Sequence, residues 1–102
     1  MPVKSYDELL VKSLHDPVAA TAYLTACSEE SEAVFWQGLR MVIEAQGGVE
    51  VLAPKMQMDP EQLSFMLTDE DKPPLSTLMH LINALGFRLS FSVMDMDTDQ
   101  VA

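Results

Sequence analysis

Two histidines, one cysteine and a run of alternating aspartates are the first residues to test for chemistry in this 102-residue chain. His15 and His80 lie far apart, and neither has a second ligand at helical spacing. A zinc site needs three or four such ligands. Asp95, Asp97 and Asp99 alternate as the first ligands of a calcium loop do, but Gln100 stands where that loop needs glycine. They read as a solvated acidic tail. No nucleophile elbow, phosphate-cradling glycine loop or paired catalytic carboxylate is present, so neither an enzyme, a cofactor, a metal nor a small-molecule substrate is expected. What remains is a set of hydrogen-bonding side chains between positions 55 and 72: Lys55, Gln57, Gln62, Ser64, Thr68 and Lys72. A glutamine amide can pair with both edge groups of adenine, a hydroxyl can reach a base edge, and an ammonium group holds phosphate. Each of them also reads as an ordinary solvated side chain.

The elements that would position these residues are helical. Ser5 with Glu8 forms a capping-box pattern, followed by Tyr6, Leu9 and Leu10 at helical spacing. Asp16-Pro17 is an acidic cap followed by proline at the first helical position, and Ala20, Tyr23, Leu24 and Cys27 share the face behind it. On that face Cys27 is a small buried hydrophobe. A third helix is expected to start between Ser28 and Ser31, with Glu29, Glu30 and Glu32 at its positive end. Trp36, Phe35, Leu39, Val42 and Ile43 form its stripe, and Gly47-Gly48 stops it.

A short helix should follow over 49–55, with Leu52 and Ala53 inward and Pro54 threatening its end. Asp59-Pro60 repeats the earlier start signal ahead of Leu63, Met66 and Leu67. Residues 69–74 read as a loop, Ser76 as the cap of a helix carrying Leu78, Leu81, Ile82 and Leu85, and Gly86 as its stop. Phe65 reads two ways, as part of the Leu63–Leu67 core face or as an exposed apolar contact, and core is the expectation. Residues 87–93 alternate apolar and polar, the pattern of a half-buried strand. A lone strand has no ladder partner, so Arg88, Leu89, Ser90, Phe91, Ser92 and Val93 are expected to pair with the same residues of a second copy in a two-fold homodimer.

The fold class expected is therefore all-α, a compact multi-helix domain with one C-terminal β-strand that pairs across a dimer. One domain is expected over 1–102: N-terminal helices at 1–46, a helix-turn-helix core at 48–86, a dimerisation strand at 87–94 and an acidic tail at 95–102. Forty-eight percent of the residues are hydrophobic, enough for one core. Eight methionines suit irregular core packing. Sixteen acidic residues against six basic ones give a net charge of −10, which opposes free association with nucleic acid or anionic membrane but suits a basic protein. A single cysteine excludes an internal disulfide framework and points to a reducing compartment. With no apolar run of membrane-spanning length and no signal-peptide pattern, a cytoplasmic protein is expected.

Two short helices joined by a tight turn over 48–75 make a helix-turn-helix, whose second helix can enter a major groove. The wider chain, from about Asp16 to Val93, resembles the addiction-module antidote family, the antitoxins of toxin–antitoxin pairs, with a lambda-repressor-like DNA-binding domain. The resemblance rests on Asp16-Pro17 with Tyr23-Leu24, Gln46-Gly47-Gly48, Leu52-Ala53, Leu63 with Leu67, Pro73, Leu75-Ser76-Thr77-Leu78, and Ala84-Leu85-Gly86-Phe87-Arg88-Leu89. It implies a transcriptional regulator that binds double-stranded operator DNA, represses its own operon and neutralises a toxin, often a small basic RNA-cleaving protein. The chain departs from the family on the reading element. Gln57 replaces the usual turn glycine, and Pro60, Ser64 and Phe65 stand where an arginine, a tyrosine and a second base are usual. Positions 59–72 hold five acids (Asp59, Glu61, Asp69, Glu70, Asp71) and one base, Lys72. The alternative expectation is a helix-turn-helix scaffold that has lost DNA affinity and acts as an acidic protein-binding module.

Overall fold

A computed structural model describes residues 5–68 and 72–94, without the side chains of residues 5–7. These residues form six helices: α1 (Ser5–Ser13), α2 (Pro17–Glu30), α3 (Glu32–Ala45), α4 (Val49–Lys55), α5 (Pro60–Thr68) and α6 (Leu75–Ala84). The expected all-helical, compact domain is what the chain forms. The Ser5–Glu8 capping box, Tyr6, Asp69–Asp71 and the acidic tail 95–102 lie outside the described side chains.

The core is continuous. Leu14, Leu24, Trp36, Leu39, Val42, Ile43, Leu52, Leu63, Leu67, Leu81 and Ile82 form one buried cluster drawn from every helix except α1, with Leu14 just past the end of α1. The stripes expected on α2, α3, α5 and α6 supply it. Cys27 is buried, and the α2–α3 crossing is so close that a Cβ on Gly38 would come within 2.6 Å of its Sγ. The close approach leaves room for glycine and no larger residue.

The cap at Asp16 forms as expected: its Oδ1 accepts the Val18 N–H at 3.1 Å, with Pro17 behind it. Gln46 has a job in the fold, its Nε2 donating to the Leu14 carbonyl at 2.9 Å and so holding the end of α1 against the end of α3. At the other end of the chain, Asn83 Nδ2 donates to the Phe87 carbonyl at 2.9 Å and fixes where the chain leaves α6.

Several expectations are corrected. Ser31, at the far end of the expected Ser28–Ser31 start, caps α3, accepting the Val34 N–H at 3.1 Å, so Glu29 and Glu30 fall in the last turn of α2 instead of at the start of α3. There they meet the negative end of the helix rather than the positive one. Pro54 does not shorten α4. It forfeits one N–H, but the helix runs to Lys55 because the Met56 N–H closes onto Leu52 and Ala53. Ser76 does not cap α6: Pro74 is the cap residue, and its carbonyl accepts the N–H groups of Thr77 and Leu78. Leu9 is 64 % exposed, on the far side of α1 from the core. Residues 87–94 form no strand ladder within the single chain. Phe87 and Leu89 are half-buried, but Phe91 (91 % exposed) and Val93 (83 % exposed) stand out from the surface. The apolar side of the alternating segment is thus packed in its first half and bare in its second.

Candidate nucleic-acid interface

The helix pair α4–α5 is built around a turn closed by backbone hydrogen bonds. Gln57 N–H donates to the Pro54 carbonyl at 3.1 Å, and Met58 N–H reaches back to Ala53 at 3.0 Å. This is the Schellman arrangement, which needs a left-handed residue at the first position past the cap. Gln57 takes it, at φ 59°, in place of glycine. The turn keeps its shape at a conformational cost of about 1 kcal/mol, since a Cβ crowds the following carbonyl in this region.

Asp59 then starts α5. Its carbonyl accepts the Leu63 N–H at 3.0 Å, and its own N–H donates to Gln62 Oε1 at 3.2 Å. Gln62 therefore supplies one half of a capping box, from the third helical position. Leu63 and Leu67 are buried, which turns Glu61, Gln62, Ser64, Phe65 and Thr68 outward. At 100° per residue Glu61 and Phe65 lie at the middle of that face, with Gln62 and Ser64 at its two margins. Phe65 is 68 % exposed. The expectation that it completes the core is overturned: Leu63, Met66 and Leu67 already fill the inward arc, and Phe65 points almost opposite to it.

The six expected contact residues divide into two groups. Lys55, Gln57 and Ser64 are exposed. The other three are engaged within the chain. Gln62 caps α5. Thr68 Oγ1 donates to the carbonyls of Ser64 and Phe65, both at 3.2 Å. Lys72 is half-buried, with Nζ 3.4 Å from the Leu67 carbonyl and 5.4 Å from the centre of the Trp36 ring. It is a cation–π and helix-end contact, directed inward.

Arg40 of α3 joins it, Nη1 lying 3.3 Å from the same Leu67 oxygen. Two cations thus hold the negative end of α5. No sequence pattern pointed to Arg40, because its contact spans 27 residues. Phe65 was missed as a surface residue because its neighbours Leu63, Met66 and Leu67 make the whole segment look apolar.

Ser64 and Thr68 also line an open cleft of about 450 Å³ bounded by Arg40 and Glu44 of α3 and Glu50 of α4. Opposing charges on its rim give it no single sign. The expected dimerisation residues lie elsewhere. Arg88, Leu89, Ser90 and Ser92 run beside Thr21, Leu24 and Thr25 of α2, and Phe91 and Val93 project away. Among the described residues no helix is long and apolar enough to cross a membrane. Comparison with protein-family models, with curated proteins and with solved structures returned no match.

Proposed function

We propose that the chain is a DNA-binding transcriptional regulator of the antidote type, acting in the cytoplasm as a homodimer that represses its own operon and neutralises a basic toxin. The observation that carries this reading is the α4–α5 pair. Its turn is closed by two backbone bonds around Gln57, and the whole outer face of the second helix is left to solvent. A helix so presented is the element that enters a major groove, with the residues of its first turns against base edges. Lys55 at the end of α4 is placed for phosphate. Pairing of residues 88–93 between two copies would cover Phe91 and Val93, and two-fold symmetry would set the α5 helices about 34 Å apart, one turn of DNA.

The test is fluorescence anisotropy of the protein with duplex DNA from upstream of its own reading frame. Saturable binding that exceeds scrambled DNA at physiological salt supports the reading, and the slope against salt counts phosphate contacts. Within it, Glu61→Gln removes a carboxylate from the middle of the α5 face and should tighten binding severalfold; weakened binding would overturn this orientation of α5.

A second reading is favoured by one observation. Lys72 is drawn inward, so the outer face of α5 carries Glu61 and an exposed Phe65 on a helix that has no basic residue of its own. Such a face suits a basic protein with an apolar anchor. Absence of DNA binding even at low salt would move the assignment to this protein-binding module.

A further inference from the structure

The sixteen acidic residues are unevenly placed: none lies in 17–28 or in 72–94. The two acid-free stretches meet in the fold, where Thr21, Thr25 and Ser28 of α2 line one side of a cleft and Leu89, Ser90 and Ser92 the other. The outer face of α2 here carries Val18, Thr21, Ala22, Thr25 and Ala26, all exposed and none charged. The hydroxyl protons of Thr21 and Thr25 are already spent on the carbonyls of Val18 and Thr21, at 3.0 and 2.9 Å. The segment beside this face is open in its backbone. Phe87 bonds back to Ile82 and Asn83, but no backbone–backbone hydrogen bond joins residues 88–94 to the rest of the described chain. Such an edge, carrying exposed Phe91, Val93 and Met94, is a template for pairing with another chain.

The charge pattern selects the occupant. Two chains of net −10 repel, and the acid-free face is where that repulsion is least. A basic partner would be drawn to the acidic surfaces instead. The burial pattern then selects the register. Odd-numbered residues share one side of an extended segment, and on that side Phe87 and Leu89 are half-buried while Phe91 and Val93 are bare. In an antiparallel pair about a two-fold axis, residues directly opposite lie on the same face of the ladder. One register sets both bare residues opposite both packed ones. It places Ser90 opposite Ser90, Phe91 opposite Leu89 and Val93 opposite Phe87. We infer that a second copy docks in this register, so that the bare half of each segment is covered by the packed half and the uncharged α2 face of the other protomer. The inference deepens the homodimer part of the proposed function and rests on it.

The experiment combines sedimentation equilibrium of the full chain with disulfide trapping. Opposed residues in an antiparallel pair have Cα atoms about 4.5–5.5 Å apart, within disulfide reach. Ser90→Cys should therefore link two chains under mild oxidation. In the same register the Cα atoms of residue 92 in the two chains lie four residues apart along the ladder, about 13 Å, so Ser92→Cys should not link. Both serines are exposed, and Cys27 is buried and does not compete. Phe91→Ala and Thr21→Glu, at exposed positions outside the core, should each weaken the dimer about tenfold or more with helix content unchanged by circular dichroism. A dimer in which Ser90→Cys fails to link, Ser92→Cys links as readily, or Thr21→Glu leaves the dissociation constant unchanged would overturn the inference while leaving the homodimer standing. A monomer at submillimolar concentration would remove the homodimer reading itself, and this inference with it.

Discussion

Two turns, at either end of the short helix α4, solve one geometric problem with different residues. At the α3–α4 turn, Gly47 N–H donates to Glu44 and Gly48 N–H to Ile43, at 3.2 and 2.8 Å. At the α4–α5 turn, Gln57 and Met58 make the equivalent bonds to Pro54 and Ala53. Gly47 sits at φ 116° and a Cβ there would lie 2.7 Å from Val51 Cγ2, so both conformation and space demand glycine. Gln57 sits at φ 59°, within the narrow left-handed region that a side chain can enter at a cost. The first turn is therefore fixed by necessity. The second holds, among the described residues, the one non-glycine in the left-handed region, and it lies beside the candidate interface, where such strain tends to collect.

The comparison is broken most severely at Gly47. Gly47→Ala combines left-handed strain with a clash against Val51 and should cost about 2–4 kcal/mol, read as a lowered midpoint in urea denaturation. A cost below about 1 kcal/mol would mean that the α3–α4 turn has the same slack as its neighbour. The next tests are a pair of opposite sign. Gly86, at φ 92°, closes α6 by the same bonds, but a Cβ there meets nothing within 4 Å. Gly86→Ala should cost about 1 kcal/mol from conformation alone, and Gln57→Gly should gain about the same. If Gln57→Gly is neutral, the turn carries no strain and the contrast between the two turns disappears. The smallest effect is expected at Gln62. Gln62→Ala removes the reciprocal cap of α5 and should cost about 0.5–1 kcal/mol, with faster amide exchange confined to the first turn of that helix.

Much of this was legible in the sequence, and the reasons differ by element. Asp16-Pro17, Gly47-Gly48 and Gly86 are local signals whose geometry is decided within a few residues, and each does what its type predicts. The stripe Leu39, Val42 and Ile43 is buried because a helix has only one face to give to the core. Gln57 was marked as the left-handed residue of the turn only by the family resemblance, which places a glycine there, and the turn it closes keeps its shape. Three things were not legible. Pro74 and Ser76 both resemble caps, and only the path of the chain into α6 selects between them. The dense apolar run of α5 hides which of its members exceeds the space available, so Phe65 was assigned inward. The convergence of Arg40 and Lys72 on Leu67 is a tertiary contact with no local trace. The strand pattern at 87–93 remains a statement about a second copy, because a ladder cannot form from one.

The capping contacts at the two ends of α5 have a consequence for how any ligand must approach. The helix is pinned at its start by the Gln62–Asp59 bond and the turn bonds before it, and at its finish by two cations on one carbonyl oxygen. A nine-residue helix capped at both ends frays less and has less freedom to adjust its fit than one with open ends. Adaptation then falls to the partner. If the proposed DNA binding holds, it should discriminate among duplexes in part by how readily they bend or widen toward the helix, at base pairs the protein never touches.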